Sequence, residues 1–136
     1  LDELGAAWKA LGGKDDGTGC DLALLHCVSS YPLEDKRANL SIIHYLHSVH
    51  DGPVGYSDHT IGTEIPIYGV AAGASIIEKH FTLDSASEGP DHAMSADPQT
   101  LKDLVQKVRW IEEVLGKKDM RIRYVEEGST AYRRSS

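Results

Sequence analysis

The sequence predicts an α/β fold on a parallel sheet, and three observations predict it. Apolar strand-like runs alternate with stretches of helical periodicity, in the order helix and then β-α-β-α-β-α. The first run, Cys20-Asp21-Leu22-Ala23-Leu24-Leu25-His26-Cys27-Val28, is nearly continuous, as suits a strand covered on both faces. Polar and ionisable residues collect where the runs end, and active groups of parallel sheets gather at carboxyl ends. Right-handed crossovers would set successive strands side by side. Three strands cannot close a barrel, but they make a contiguous slice of one; a small open α/β sandwich is the alternative.

Each element has its own warrant. Leu1, Leu4, Trp8 and Leu11 recur at helical spacing, and Gly12-Gly13 ends that helix. A polar, Gly-rich loop from Lys14 to Gly19 leads into the first strand, which Pro32 and the charged Glu34–Arg37 follow as a loop. Leu40, Ile43, Leu46 and Val49 mark a second helix, closed by Asp51-Gly52-Pro53. The strand Val54 to Thr60 comes next, then a short Ala-rich helix from Glu64 to Gly73 that tolerates Pro66 near its first turn. A third strand runs from Ala74 to Phe81, and a Gly-Pro loop follows at Gly89-Pro90. The last helix carries the clearest signals: Asp97 as N-cap, Pro98 at the first helical position and Gly116 at the end. Leu101, Leu104, Val105, Val108, Ile111, Val114 and Leu115 form its apolar stripe. Lys117 to Ser136 has little apolar periodicity and reads as an exit segment or linker.

Bulk properties narrow the function. At 136 residues, 40% hydrophobic and 26% charged, the chain is about one ordinary globular domain. A formal charge of −7 argues against a nucleic-acid partner, which needs a concentrated basic face. No apolar run is long enough to span a membrane, and no basic-then-apolar leader opens the chain. Cys20 and Cys27 fall on one predicted strand, about 23 Å apart at roughly 3.3 Å per residue and too far to bridge. They are expected as reduced thiols of a cytoplasmic protein, and no Cys-x-x-Cys pair supports a zinc site.

Period-two alternation sorts the candidate site. Ser57 and His59 share one face of their strand, with Asp58 opposite; Glu78 and His80 share a face of theirs, with Lys79 opposite. Cys27, Ser29 and Tyr31 share a face of the first strand's extension. One interior face therefore collects Ser29, Tyr31, Ser57, His59, Glu78 and His80, too polar for a plain core layer. A single strand-end histidine is more often a hydrogen-bonded structural residue than a ligand. Two in register beside Glu78 make a divalent-metal site an equal alternative. His44, His47 and His50 read as a solvated helix face, His26 as a core or strand-end residue, and Met94 and Trp110 as packing. Glu34–Arg37 and Arg133-Arg134 read as solvated charge. Asp91 and His92, after Gly89-Pro90, either fold over the site to meet a polar substrate or form an exposed Asx-type turn.

Four ordered motifs resemble the sialic acid (N-acetylneuraminate) synthases: His-Cys-Val-Ser-Ser-Tyr-Pro at 26–32, Tyr-Ser-Asp-His-Thr at 56–60, Ile-Glu-Lys-His-Phe-Thr-Leu at 77–83 and Gly-Pro-Asp-His at 89–92. The resemblance runs from Asp21 to Gly116, with Arg133-Arg134-Ser135 like the family's barrel exit. It implies a (β/α)8 TIM barrel, of which residues 1–116 supply the last three βα units with a leading helix, and 117–136 the exit segment. It implies condensation of phosphoenolpyruvate with N-acetylmannosamine or a related hexosamine, giving a nonulosonic acid and phosphate. A divalent metal, commonly manganese with magnesium or cobalt as alternatives, is implied on His59 and His80. Ser57 would contact phosphoenolpyruvate, as would Ser29, where many relatives carry Asn. Tyr31 and Asp91 would hold the sugar at the reacting centre, His92 would bind substrate, and Glu78 would be a proton-transfer partner.

The phosphate-binding lysines of the family come from earlier strands, and the outward-pointing Lys79 is not expected to replace them. The antifreeze-like domain of many relatives is also not in this sequence, so the expectation is a barrel portion that is inactive alone, from a homodimeric parent. Gly-Pro-Asp-His favours neuraminate-like or legionaminate-like synthases over pseudaminate-like ones. Two other classes stay open. One is a non-catalytic α/β module that pairs with a copy of itself. The other is a metal-dependent hydrolase, for which no third strand-end ligand is evident.

Overall fold

A computed structural model describes residues 2–12 and 22–117. Its elements are α1 (Asp2–Ala10), β1 (Leu24–Cys27), α2 (Ser41–Val49), β2 (Val54–Asp58), α3 (Glu64–Ala71), β3 (Ile76–Lys79) and α4 (Pro98–Leu115). Two 3-10 turns, Asp35–Arg37 and His92–Met94, sit in the loops. The strands pair in parallel in the order β1-β2-β3. Cys27 lies opposite Ser57, Ser57 opposite Glu78, and Asp58 opposite Lys79. The expected element order and parallel register are both present.

The core lies on one face of this sheet. Val54 and Tyr56 of β2 meet Ile43 of α2, and Leu33, Ala38 and Ala74 complete the buried cluster. Ile65, Ala72 and Ile77 pack around it, so α2 and α3 cover the same side. Alternation makes that the side of Tyr56 and Asp58, leaving the Ser57 side for chemistry. Among the described strands only β2 is buried along its whole length, because it has a neighbour on each side. Gly55 lets the β2 backbone approach β3: an added Cβ would come 2.6 Å from the Ile76 carbonyl oxygen. Gly73, at φ +104°, takes the left-handed turn out of α3.

Three details depart from expectation. β1 starts at Leu24 rather than Cys20, and Cys20 itself lies outside the described residues. The α4 stripe is only partly covered. Leu104 is buried, whereas Val105, Val114 and Leu115 are exposed, and Trp110, expected to pack, is 62% exposed. A helix meets its neighbours along one line, here α3, and this stripe is wider than that contact. His50 is not on a helix face at all. It follows α2 in extended conformation, donates from Nε2 to Leu22 O at 3.0 Å, and meets Trp8 edge-on. His47 likewise pairs with Gly73 O at 3.0 Å, and His26 with Ala38 O at 2.7 Å.

The α4 cap is as expected: Asp97 Oδ1 accepts the Thr100 N–H at 2.7 Å, with Pro98 next to it. Arg133-Arg134 and the rest of 118–136 lie outside the described residues. Among the described residues no helix is long and apolar enough to cross a membrane.

Candidate functional site

The site forms where the ladder ends. β2 and β3 stop being paired after Asp58 and Lys79, and the next residues are His59 and His80. Beyond that point the chains part company. Thr60 bridges to Leu33, and Phe81 bridges to Ala96. The His59 carbonyl accepts Leu33 N–H at 2.9 Å, and the His80 carbonyl accepts Ala96 N–H at 2.8 Å. The two imidazoles therefore sit side by side at a fork, with ring centroids 5.2 Å apart.

Tyr31 reaches the same place from the loop after β1. Its ring lies 4.2 Å from that of His59 and 5.9 Å from that of His80. The Tyr31–Pro32 peptide is cis. One rung below, the Ser57 hydroxyl donates to Glu78 Oε1 at 2.6 Å. Asp91 approaches from the loop after β3, with Oδ2 4.0 Å from His80 Nδ1. Five of these six residues were expected on a common face, and Asp91 either over it or in an exposed turn. Here Asp91 flanks His80 and is half-exposed.

Two candidates are placed differently from expectation. Ser29 is exposed and makes no hydrogen bond to any of these side chains. The chain bends after Cys27, the last residue of β1, so strand alternation no longer governs residue 29. His92 turns inward instead of facing the site: its Nδ1 pairs with Thr82 Oγ1 at 2.7 Å. The ring packs against Gly89, where an added Cβ would lie 2.9 Å from His92 Cδ2. Thr82 is buried, and its hydroxyl is a stronger attraction for an imidazole than open solvent.

The fit of a cation can be judged from His59. It is 4% exposed, and Nδ1 lies 2.9 Å from Val28 O, closer than the 3.9 Å to Cys27 Sγ. A carbonyl only accepts, so Nδ1 carries the proton and Nε2 keeps its lone pair. That backbone anchor is the usual way a ligating imidazole is oriented. His80 supplies a second imidazole. Among the described residues no group of three or more His, Cys, Asp and Glu side chains could hold a metal ion. The donor set thus fits part of a coordination shell, two nitrogens with the remaining positions left to water or substrate.

The opposite face of the same strand ends holds residues that the sequence reading gave no role. Lys79 Nζ donates to Asp58 Oδ2 at 2.6 Å and to Thr60 O at 2.7 Å, with both charged side chains almost fully buried. Asp58 also accepts from Thr60 N–H at 3.1 Å and Thr60 Oγ1 at 2.9 Å. Burial, and then the nearby Asp58 carboxylate, push the Tyr56 phenol well above its ordinary value of 10.0. A signal did exist: opposite charges occupy matching places, one residue before each histidine.

A NeuB family model matches residues 1–120. An uncharacterized protein of Methanocaldococcus jannaschii is 47% identical over 116 residues, which is 85% of this chain and 34% of that protein. The N,N'-diacetyllegionaminic acid synthase of Legionella pneumophila is 50% identical over 95 residues, covering 70% of this chain and 27% of the synthase. The mouse N-acetylneuraminate-9-phosphate synthase is 42% identical over 97 residues, with coverage of 71% and 27%. Among solved structures, the N-acetylneuraminic acid (sialic acid) synthetase of Leptospira borgpetersenii, in complex with citrate, superposes with a TM-score of 0.77 at 45% identity. That match covers 81% of this chain and 39% of the synthetase. The chain spans about a third or less of the curated relatives it matches. With the model matched over most of its length, and synthases of acidic sugars among its relatives, this chain belongs to the NeuB family.

Proposed function

We propose that this chain supplies the aldehyde-activating side of a synthase that condenses phosphoenolpyruvate with N-acetylmannosamine or a related N-acylated hexosamine. The observation that carries the reading is the pair of imidazoles 5.2 Å apart at adjacent strand ends, with the Tyr31 ring 4.2 Å from one of them. The names of the relatives support a nonulosonic acid as product. Neuraminate-type, legionaminate-type and pseudaminate-type relatives all match, so the acceptor is assigned as a class.

In this reading C3 of phosphoenolpyruvate forms a bond to the aldehyde carbon of the open-chain sugar, whose oxygen takes up a proton. Water adds at C2, and the C2–O bond to phosphate breaks, leaving a 2-keto acid and inorganic phosphate. A divalent cation held by His59 and His80, manganese by preference with magnesium or cobalt as alternatives, would polarise the aldehyde oxygen where negative charge develops. His59 is held for this by its Val28 anchor, with Nε2 free. Tyr31 and Asp91 flank the imidazoles and hold the sugar. Ser57 donates to phosphoenolpyruvate once released from Glu78, and Glu78 then serves as the local proton acceptor or donor. Ser29, exposed and unengaged, remains a candidate second contact for phosphoenolpyruvate. His92 shapes the loop that carries Asp91.

The same proposal takes the three strands as the last three βα units of a closed TIM barrel, over 1–116, with 117–136 as its exit segment. β1 and β3 each have one strand neighbour among the described residues, which leaves an open sheet edge on either side. Phosphoenolpyruvate's phosphate would then be held by strands supplied elsewhere in the intact protein, and this portion alone would be inactive. A homodimeric protein in the cytoplasm, where the free Cys27 thiol stays reduced, completes the proposal.

The test measures phosphate release by the intact protein with phosphoenolpyruvate, N-acetylmannosamine and Mn2+. Chelation should abolish turnover and Mn2+ restore it, and His59→Ala and His80→Ala should each lower it by on the order of a hundredfold or more. Full activity in either variant would remove the metal assignment. Turnover by residues 1–136 alone would remove the partial-barrel assignment.

A further inference from the structure

The histidine pair lies one residue beyond the end of the backbone ladder. Paired strands fix the separation of side chains through their hydrogen bonds, but here the ladder stops at Asp58 and Lys79. From His59 and His80 onward, each chain is drawn to a different neighbour, toward Leu33 on one side and Ala96 on the other. Something other than strand pairing must hold the two imidazoles together at this fork.

The structure assigns that task to the buried group on the opposite face: we infer that Lys79, Asp58 and Thr60 form a strap across the fork that sets the spacing of His59 and His80. This rests on the metal reading above. Lys79 Nζ reaches from β3 to Asp58 Oδ2 at 2.6 Å and to Thr60 O at 2.7 Å. Those two acceptors lie immediately before and after His59. Lys79 itself lies immediately before His80. One ammonium thus ties the side chain before one imidazole and the backbone after it to the strand carrying the other.

The strap is also rigid. The Asp58 carboxylate is fixed by Thr60 N–H at 3.1 Å and by Thr60 Oγ1 at 2.9 Å and 3.1 Å. The Lys79 and Asp58 side chains are 3% and 0% exposed, so water neither screens nor loosens them. A buried ion pair is weak evidence for stability, since apolar replacements often serve as well. Here the alternation of the strands gives it a different use: Lys79 and Asp58 point away from the site, yet fix the next residue of each strand on the site side. They are positioning residues, acting through His59 and His80 without touching a ligand.

The experiment titrates the intact protein with Co2+ alone and reads the visible absorption of the bound ion. Asp58→Asn combined with Lys79→Met removes the strap without leaving a buried charge unpaired. It should keep the protein folded by circular dichroism but weaken Co2+ binding by about tenfold or more, the range expected when groups that orient ligands are lost. Ile43→Val, buried in the same core but outside the strap, should lower the unfolding temperature and leave the Co2+ dissociation constant within about twofold. If the double variant does not fold, Thr60→Val carries the test. It keeps both charges, the Lys79 contacts and the backbone N–H bond but removes the two hydroxyl contacts that fix the carboxylate, and should still weaken Co2+ binding by more than Ile43→Val does. Wild-type affinity in the strap variants, or an equal loss in Ile43→Val, overturns the inference. Absence of Co2+ binding by the wild-type protein, or binding that His59→Ala leaves unchanged, overturns the metal reading instead.

Discussion

Replacing Gly55 with alanine tests whether close packing of β2 against β3 underlies the site. A Cβ there would lie 2.6 Å from Ile76 O, 2.8 Å from Ile76 Cβ and 3.1 Å from Leu25 Cγ, where ordinary contact begins at 3.4 Å. The nearest of these is backbone on the neighbouring strand, so no side-chain rotation relieves it; β2 or β3 must move by several tenths of an ångström. Overpacking of this kind costs about 1–3 kcal/mol, and backbone displacement puts the expectation at the upper end, about 3 kcal/mol. Gly69→Ala is the matched comparison. Its Cβ would meet Tyr56 Cδ1 at 3.3 Å and Tyr56 Cβ at 3.5 Å, close to ordinary contact. Gly69 lies within α3, where alanine is favoured over glycine by about 1 kcal/mol, so the net effect should be near zero. Urea unfolding of the intact variants reads both free energies, provided that the slopes agree. Equal stability of Gly55→Ala and Gly69→Ala would refute the packing argument.

Acid should expose the cap of α4. The Thr100 N–H holds the Asp97 carboxyl below its ordinary value of 3.8. A lowered folded-state pKa means that its contribution is present above pH 3.8 and is lost as pH falls through the folded value. Asp97→Asn keeps an acceptor but cannot titrate, so its thermal midpoint should fall less than wild type below that pH. Thr82→Val should unlatch the loop that carries Asp91, because it leaves His92 Nδ1 without its 2.7 Å partner. Losing one partner of a buried hydrogen bond costs about 1–3 kcal/mol, so glutamate-specific cleavage after Glu88 should be roughly tenfold faster. An unchanged cleavage rate would mean that the latch does not hold the loop. Ser57→Ala should raise KM for phosphoenolpyruvate more than KM for the hexosamine in steady-state assays of the intact enzyme, and the reverse order would reassign Ser57.

Much of the fold was legible in the chain because its signals are local. Asp97, Pro98 and Gly116 mark the ends of α4 through groups within a few residues of each helix end. The faces of β2 and β3 follow from period two alone, which is why Ser57 and Glu78 were expected together and lie 2.6 Å apart. Alternation is a guide only within the strand, which ends at Cys27, and Ser29, assigned to the same face, lies exposed beyond that end. The stripe on α4 was legible as apolar, but not how much of it a neighbour would cover.

The sequence by itself determined the order of elements, the parallel three-stranded sheet and the collection of Tyr31, Ser57, His59, Glu78 and His80 at one end. All but Tyr31, which arrives from the loop after β1, follow from spacing along the chain or from strand order. The tertiary structure alone decided which nitrogen of His59 is anchored, since its partner is the Val28 carbonyl, and a backbone carbonyl has no sequence signature. It alone turned His92 toward Thr82, and it alone joined Asp58, Thr60 and Lys79 behind the histidines. Such contacts link residues far apart in sequence, and packing in three dimensions selects them from many partners that the chain would equally allow.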